Sequence, residues 1–326
     1  MIAGQGRAVK QFASAWATRR LHHAWLLAGP KGVGKATFAH MAARRVLAEA
    51  AGPSFDLPGL GTPDDHPIVK LVEASSHPDM RWLKRLPKER GEGLTRDITV
   101  DQVRDLGEFM GMTAALSPWR VAVIDTVDEL AGAGANALLK ILEEPPSNTL
   151  YFLVSHAPGR LLPTIRSRCR RVDFQPLPDD AMASILKACA PDMSDAERQR
   201  VISMSFGSAS RALAFADLGL AKLEDAALAI LRQGDPTNAR RSDLALELGK
   251  KNSSDRYVAF LDLAPSLIAR EARSLNGASR ERALDAYAKT RELAAIAPRL
   301  SLDPAATVFQ IGGILAEVAE PASLKR

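Results

Sequence analysis

The feature that most constrains the fold is the segment Gly29-Pro-Lys-Gly-Val-Gly-Lys35, which has glycines and a lysine at the spacing GxxxxGK. An apolar run over residues 24–28 precedes it, and a helical pattern from Lys35 to Leu47 follows it. Glycines at these positions allow backbone N–H groups to wrap phosphate groups, and the lysine reaches the terminal ones. Because strand, loop and helix are the context in which such a loop binds nucleotide, the sequence predicts a phosphate-binding loop (P-loop) in an α/β domain.

Contacts with ATP or ADP are predicted first for the loop and the start of the next helix: Gly29, Pro30, Lys31, Gly32, Val33, Gly34, Lys35, Ala36 and Thr37. Magnesium usually takes a Ser or Thr hydroxyl directly after the lysine, but Ala36 stands there. The hydroxyl of Thr37 points about 100° further around the helix. We therefore expect weakened binding of nucleotide and of magnesium, and residual nucleotide binding and a purely structural loop are both open.

A second departure follows the apolar run Arg120-Val-Ala-Val-Ile-Asp125, which indicates a strand buried on both faces. Asp125 at its carboxyl end is predicted to anchor a metal and to contact nucleotide. ATPases usually place a glutamate next to orient the attacking water, whereas this chain has Thr126, which cannot act as a general base at neutral pH. Asp128 and Glu129 lie past the strand end, where they either cap or decorate the next turn or form a solvated acidic surface. We expect no competent ATP hydrolysis by this chain.

Alternating helices and strands are predicted through the first half of the chain. The predicted elements are a helix through residues 9–16, a helix over 100–110 that opens with a capping box, a helix over 136–144 that stops at two prolines, and a strand over 150–154. Residues 51–67 are rich in Gly, Pro and Asp and predict an exposed loop. This alternation is typical of a parallel α/β sheet.

Beyond Phe174 only helical patterns remain. Their predicted starts are Asp179, Ser194 and Ser208, and their predicted breaks lie at residues 234–236, 252–254, 276–277 and 298. We predict three domains, namely a P-loop core over 1–174, a small helical lid over 175–219 and an all-α C-terminal domain over 220–326.

Composition restricts the remaining classes of function. The formal charge of +5 is modest for 326 residues, so it is weak evidence for an anionic partner. The two cysteines, Cys169 and Cys189, indicate neither a disulfide framework nor a zinc module. We find no secretory pattern at the N-terminus and no apolar stretch long enough to span a membrane, and we expect a cytoplasmic protein with no membrane partner.

Four stretches together resemble the delta-prime subunits of bacterial DNA polymerase III clamp loaders, a family of AAA+ proteins. They are Leu21–Pro30, which leads into the P-loop, Ser76–Asp79, the segment Ala135–Pro146 (ANALLKILEEPP), and Thr164–Cys169 (TIRSRC). The likeness covers about residues 2–174, and ANALLKILEEPP is its most specific part. An amphipathic helix alone would not require that order of residues.

The resemblance implies a non-motor, stator-like subunit of the polymerase holoenzyme that is not itself a polymerase. Its implied partners are the motor ATPase subunits, delta, the sliding clamp and primed DNA, and its C-terminal domain would join a helical collar. Family members often carry a four-cysteine zinc module, but residues 49–77 contain no cysteine, so zinc is not expected.

Three side chains receive roles from the resemblance. Arg168 matches an arginine that projects onto the ATP of a neighbouring subunit and is predicted to act catalytically in trans; the alternative is a basic patch that it shares with Arg166, Arg170 and Arg171. Ser155 matches a sensor position that contacts phosphate or water, and otherwise it ends the strand. Arg211 matches the sensor region of the lid, one place late, and the alternative is a surface arginine.

Two rival functions are open at this level. The chain could be an active motor or another AAA+ ATPase, against which Ala36 and Thr126 both argue. It could instead be a plain DNA-binding protein, in which case the isolated chain would bind DNA tightly and with a strong dependence on salt.

Overall fold

The computed structural model describes residues 2–88, 94–218 and 221–319. They form two compact units, one of residues 1–184 with 207–210 and the other of residues 185–206 with 211–326. The three-domain division stays a prediction, and its second boundary, between residues 219 and 220, lies outside the described residues.

The first unit is built on a parallel sheet. Its strands are β1 (Ala24–Ala28), β2 (Met80–Leu83), β3 (Arg120–Asp125), β4 (Thr149–Ser155) and β5 (Arg170–Asp173), in the spatial order β2-β3-β4-β1-β5. Its helices are α1 (Gly6–Ala17), α2 (Lys35–Ala51), α3 (Pro67–Glu73), α4 (Val100–Gly111), α5 (Gly132–Glu143) and α6 (Pro163–Ser167). The predicted α/β core with a parallel sheet is confirmed.

Side chains alternate between the two faces of the sheet and create a separate core on each. Trp25 and Leu27 of β1 pack with Phe12 and Phe38 on one face, where the Phe12 and Trp25 rings lie 5.0 Å apart. Leu26 packs into the core of the other face, under α4, α5 and α6. Because helices cover both faces, the central strands carry continuous apolar runs.

Helix α4 begins where its sequence signal predicts. The Thr99 hydroxyl accepts a hydrogen bond from the Gln102 N–H, and the Gln102 side chain accepts one from the Thr99 N–H. This reciprocal pair satisfies two amide groups that a helix start would otherwise leave without partners, and it confirms the predicted capping box.

Every regular element in the described residues beyond β5 is helical. These helices are α7 (Asp179–Cys189), α8 (Asp195–Ser205), α9 (Ala209–Leu218), α10 (Ala221–Gln233), α11 (Ala239–Leu248), α12 (Ser254–Glu271), α13 (Gly277–Leu300) and α14 (Pro304–Val318). The predicted starts at Asp179 and Ser194 are confirmed, the latter by a second capping box. Among the described residues, no helix combines the length and the apolar character needed to cross a membrane.

The predicted break at Pro298 is wrong, because α13 continues through it to Leu300. A proline removes one N–H and therefore one hydrogen bond to the carbonyl four residues earlier. In the last turn of a 24-residue helix the loss of this one hydrogen bond does not end the helix. The helix ends at Leu300, and the next residue, Ser301, has a left-handed conformation.

Candidate nucleotide-binding site

The parallel sheet brings the predicted site residues to one edge. The P-loop leaves the carboxyl end of β1, and the ladder pairs Ala28 with Ser155 and Asp125 with Val154. The loop, Asp125 and Ser155 therefore converge at the carboxyl ends of three adjacent strands, where ligands of parallel sheets bind. Within the loop Pro30 and Lys31 are exposed, whereas Val33 is buried in the core.

Three glycines give the loop its path through left-handed backbone conformations. Gly29, Gly32 and Gly34 have φ angles of +152°, +79° and +94°. A Cβ atom on Gly29 would lie 2.3 Å from the backbone oxygen of Phe174, and one on Gly32 would lie 2.1 Å from Ser208 Oγ. At Gly34 the same atom would meet nothing within 4 Å. Gly29 and Gly32 are required because other atoms lie too close to leave room for a Cβ atom. Gly34 is required only by its backbone dihedral angles.

Gly29→Ala is therefore expected to lower the free energy of unfolding by about 3 kcal/mol, because a backbone oxygen beside a buried strand cannot move away without disturbing the sheet. Gly34→Ala is the matched control with open space, and conformational strain alone should cost about 1–2 kcal/mol there. Urea unfolding followed by circular dichroism measures both values. Equal losses for the two variants would contradict the role of close approach.

The Lys35 ammonium group is bonded to the loop itself. Its Nζ donates to the Gly29 carbonyl at 2.6 Å and to the Pro30 carbonyl, and the side chain is 3% exposed. Burial lowers the pKa of Lys35 to about 8, and the nearby carboxylates of Asp128 and Asp125 oppose that decrease. A phosphate group would have to replace these carbonyl contacts in order to bind the lysine.

Two further contacts hold the loop from outside. Gln5 is buried, and its Nε2 donates to the carbonyls of Val33 at 3.2 Å and Gln175 at 2.7 Å. The Ser210 N–H approaches the Gly32 carbonyl at 3.3 Å. The role of Gln5 could not be predicted from the sequence, because its partners lie 28 and 170 residues away and follow no periodic pattern.

The site lacks the hydroxyl that usually binds magnesium directly after the P-loop lysine. Ala36 presents a methyl group where a hydroxyl would bind the ion, and Thr37 is exposed on the helix surface. Asp125 is half-buried, and burial raises its pKa against the influence of Lys35, Lys84 and a hydrogen bond from Trp82. Thr126, where a glutamate would orient water, is buried. These residues do not fit a magnesium–nucleotide complex poised for hydrolysis.

Asp128 and Glu129 are structural groups, and the alternative of a solvated acidic surface is wrong for both. Ser155 Oγ donates to Asp128 Oδ1 at 2.7 Å, and the backbone N–H groups of His156 and Ala157 donate to Asp128 Oδ2. Glu129 forms an ion pair with Arg85 at 2.8 Å. Asp128 therefore caps the end of β4 and contributes negative charge near Lys35. The hydroxyl of Ser155 is bonded to that carboxylate.

Arg168 lies directly after α6 and forms an ion pair with the last residue of α5. Its Nη2 lies 2.8 Å from Glu143 Oε1, its Nη1 donates to the Thr164 carbonyl at 3.0 Å, and its side chain is 36% exposed. The nearby arginines have other surroundings, since Arg170 stacks on the Trp25 ring and Arg171 pairs with Asp173. Among the predicted arginines, Arg168 is the one connected to the ANALLKILEEPP helix.

Arg211 lies in the second unit. Its Nη1 donates to Ser266 Oγ of α12 at 3.1 Å. Within that unit Arg211 contacts a helix, and its predicted contact with nucleotide stays a prediction.

The first half of the chain is similar to known proteins. Residues 4–178 match the family described as "DNA polymerase III, delta subunit". A DNA polymerase III subunit delta' from Pseudomonas aeruginosa is 37% identical over 188 residues, which are 57% of this chain and 53% of that protein. The subunit delta' of Escherichia coli is 30% identical over 211 residues, 63% of this chain and 58% of that protein. The chain thus spans about half the length of these curated relatives.

Among solved structures, a gamma subunit-related protein of DNA polymerase III from Thermotoga maritima aligns with 94% of this chain and 99% of its own, at 16% identity and a TM-score of 0.46.

Proposed function

Since the chain belongs to the DNA polymerase III delta subunit family, we propose that it is a non-motor subunit of a clamp loader, which helps ATP-dependent loading of a sliding clamp onto primed DNA without hydrolysing ATP itself. Its partners on this proposal are the motor ATPase subunits, a delta subunit, the clamp and DNA.

The observation that carries the proposal is the pair of residues that stand where a magnesium ligand and a water-orienting group belong, Ala36 and Thr126. The glycines and Lys35 of the P-loop are present, so the departures lie on the metal and water side of the site. The absence of a hydroxyl at Ala36 and of a carboxylate at Thr126 removes the magnesium ligand and the group that orients water. The loop then serves as a packed part of the core, and ATP or ADP binds weakly.

The trans-acting role of Arg168 completes the proposal. The guanidinium group is partly exposed, and Glu143 holds it at the end of the family's most specific helix. A planar cation in that position suits the charge that develops on a phosphoryl group bound by another subunit. The chain would thus complete a neighbour's site although its own is incomplete.

Turnover and binding by the isolated chain test the proposal. We expect no ATP hydrolysis above background, and calorimetric binding of ADP that changes less than about threefold when magnesium is added. Ala36→Thr is the matched variant, because it restores the hydroxyl and should make binding depend on magnesium while leaving the magnesium-free affinity unchanged. Brisk hydrolysis by the wild-type chain alone would identify a motor ATPase instead.

A further inference from the structure

A cavity lies wholly within the helical unit. It has a volume of about 400 Å³ and lies against α12 and α13, with one wall from the segment around Phe206 and Arg211. A volume of this size is typical of small-ligand sites, which commonly enclose a few hundred Å³. None of the residues assigned to the nucleotide site contributes to it except Arg211.

Positive charge dominates the lining of this cavity. Arg211, Arg273 and Arg291 contribute guanidinium groups, and Asp262 is the one carboxylate among the described lining residues. Neither Arg273 nor Arg291 forms an ion pair with any residue that the structure describes, although Arg211 donates to Ser266. Guanidinium groups bind phosphate oxygens through planar, charge-assisted hydrogen bonds, so the excess charge favours a phosphate-bearing anion.

An aromatic wall stands beside these arginines. Phe206 lines the cavity with its backbone at φ +48°, a left-handed conformation that is unfavourable for a bulky residue, and the Arg273 guanidinium lies 5.8 Å from its ring centroid. Tyr287 supplies a second ring to the lining. Phe206 directly follows α8 and adopts this conformation as the C-cap of that helix. Flat rings next to cations suit a ligand that joins a planar base to a phosphate.

The other lining residues include small side chains and one backbone carbonyl that could accept a hydrogen bond. Ala269, Ala294 and Ala295 are small, so they keep the space between the two helices open. Pro265 in α12 has no N–H to donate to the carbonyl of Leu261, four residues earlier, and both residues line the cavity. A carbonyl without its usual helical donor can accept a hydrogen bond from an amino or hydroxyl group of a ligand.

We propose that this cavity binds a nucleoside phosphate at a site separate from the P-loop, with Arg273 and Arg291 on the phosphate groups and Phe206 and Tyr287 beside the base. The proposal goes beyond the clamp-loader role and does not depend on it. A free nucleotide fits the volume, and a nucleotide within a single strand of DNA would present the same chemistry.

Calorimetric titration of the full chain carrying Lys35→Ala tests the proposal, because that change disables the P-loop and leaves the helical unit intact. We expect ADP to bind this protein and the affinity to fall at least ~10-fold in the additional double variant Arg273→Ala/Arg291→Ala. Arg280→Ala removes an exposed arginine of α13 outside the cavity and should leave the affinity unchanged. The variant Arg273→Lys/Arg291→Lys keeps the positive charges and should bind ADP with intermediate affinity. It distinguishes the loss of guanidinium contacts from a general loss of folding.

Three results would overturn the proposal. One is no binding of ADP up to about 1 mM in the Lys35→Ala protein. Another is an equal loss of affinity in the Arg280→Ala control. The third is binding of an oligothymidylate alone, with no binding of ADP or pyrophosphate, which would exclude a free nucleotide. Binding of both ADP and the oligomer, each weakened by the double alanine variant, supports the site and indicates that it accepts either source.

Discussion

Arg168→Ala is expected to lower ATP hydrolysis at the neighbouring subunit's site of the assembled clamp loader by about 100-fold or more, while assembly stays intact. An arginine supplied in trans stabilises the charge that develops during phosphoryl transfer, and removal of such a residue commonly costs several orders of magnitude in rate. Arg168 is suited to this role because it is partly exposed and is held by one carboxylate and one carbonyl.

Single-turnover hydrolysis in a reconstituted complex measures this effect most directly. The motor copy next to this chain should be the sole hydrolysis-competent copy, since hydrolysis at the other sites would mask the loss. Gel filtration of the same complex checks assembly. The variant chain should unfold at nearly the same temperature as the wild type, because an exposed ion pair such as Arg168–Glu143 contributes at most about 1 kcal/mol.

Two matched variants separate a catalytic arginine from a general basic patch. Arg166→Ala removes an exposed cation two residues away and should leave the rate unchanged. Glu143→Gln keeps the size of the side chain but removes the charge that holds Arg168, so we expect a loss of less than ~10-fold in rate without loss of nucleotide affinity. A rate for Arg168→Ala within twofold of wild type, or equal losses for Arg166→Ala, would contradict the trans-acting role.

The Arg168–Glu143 pair also explains why two separate sequence signals belong together. Glu143 is the last residue of α5, which carries the ANALLKILEEPP pattern, and Arg168 belongs to the TIRSRC pattern. The apolar side chains of α5 fix its place against the sheet, with Leu138 and Leu142 fully buried. The helix therefore holds a carboxylate at the position from which the arginine can be oriented.

The sequence predicted the central strands correctly and missed the edge strands for a physical reason. Strands β1, β3 and β4 are covered on both faces, so their apolar runs are continuous and easy to recognise. Strands β2 (Met-Arg-Trp-Leu) and β5 (Arg-Arg-Val-Asp) lie at the two edges of the sheet and are largely half-exposed or exposed. Short edge strands carry charged residues and give no apolar run to detect.

The same distinction applies to the site. The meeting of the P-loop, Asp125 and Ser155 at one edge of the sheet could be predicted, because glycine spacing and strand ends are local signals. The roles of Gln5, Asp128 and Asp79 depend on hydrogen bonds to residues far along the chain, and only the fold brings these partners together. The segment Ser76–Asp79 carries part of the family resemblance, and the contacts of Asp79 show its physical role.

Asp79→Ala is expected to lower the free energy of unfolding by about 4 kcal/mol, because the change leaves three backbone N–H groups without an acceptor. Asp79 is 0% exposed, and its Oδ1 accepts from the Ala115 N–H at 2.6 Å. Its Oδ2 accepts from the Leu116 N–H at 2.7 Å and from the Ser117 N–H at 2.9 Å. The carboxylate thereby fixes the turn that leads into β3, the strand that ends at Asp125.

Urea unfolding at neutral pH measures that loss, and Asp105→Ala, which removes an exposed carboxylate on α4, is the matched control with an expected change within about 0.5 kcal/mol. Asp79→Asn keeps one acceptor oxygen and should cost less than the alanine variant. Losses of similar size for Asp79→Ala and Asp105→Ala would contradict the anchoring role.

The dependence of the unfolding free energy on pH gives an independent test of the Asp79 contacts. Burial alone would raise the pKa of Asp79, but the three backbone donors and His77 outweigh it and hold the pKa below its ordinary value of 3.8. The unfolded chain therefore binds the proton more tightly than the folded one, so the stabilisation is fully present above the ordinary pKa and is lost as pH falls through the folded value. The difference in unfolding free energy between wild type and Asp79→Asn should be constant above about pH 7, where His77 is neutral, and should narrow below about pH 4 as the carboxylate is protonated. A difference that stayed constant into the acid range would mean that the carboxylate charge does not hold this turn.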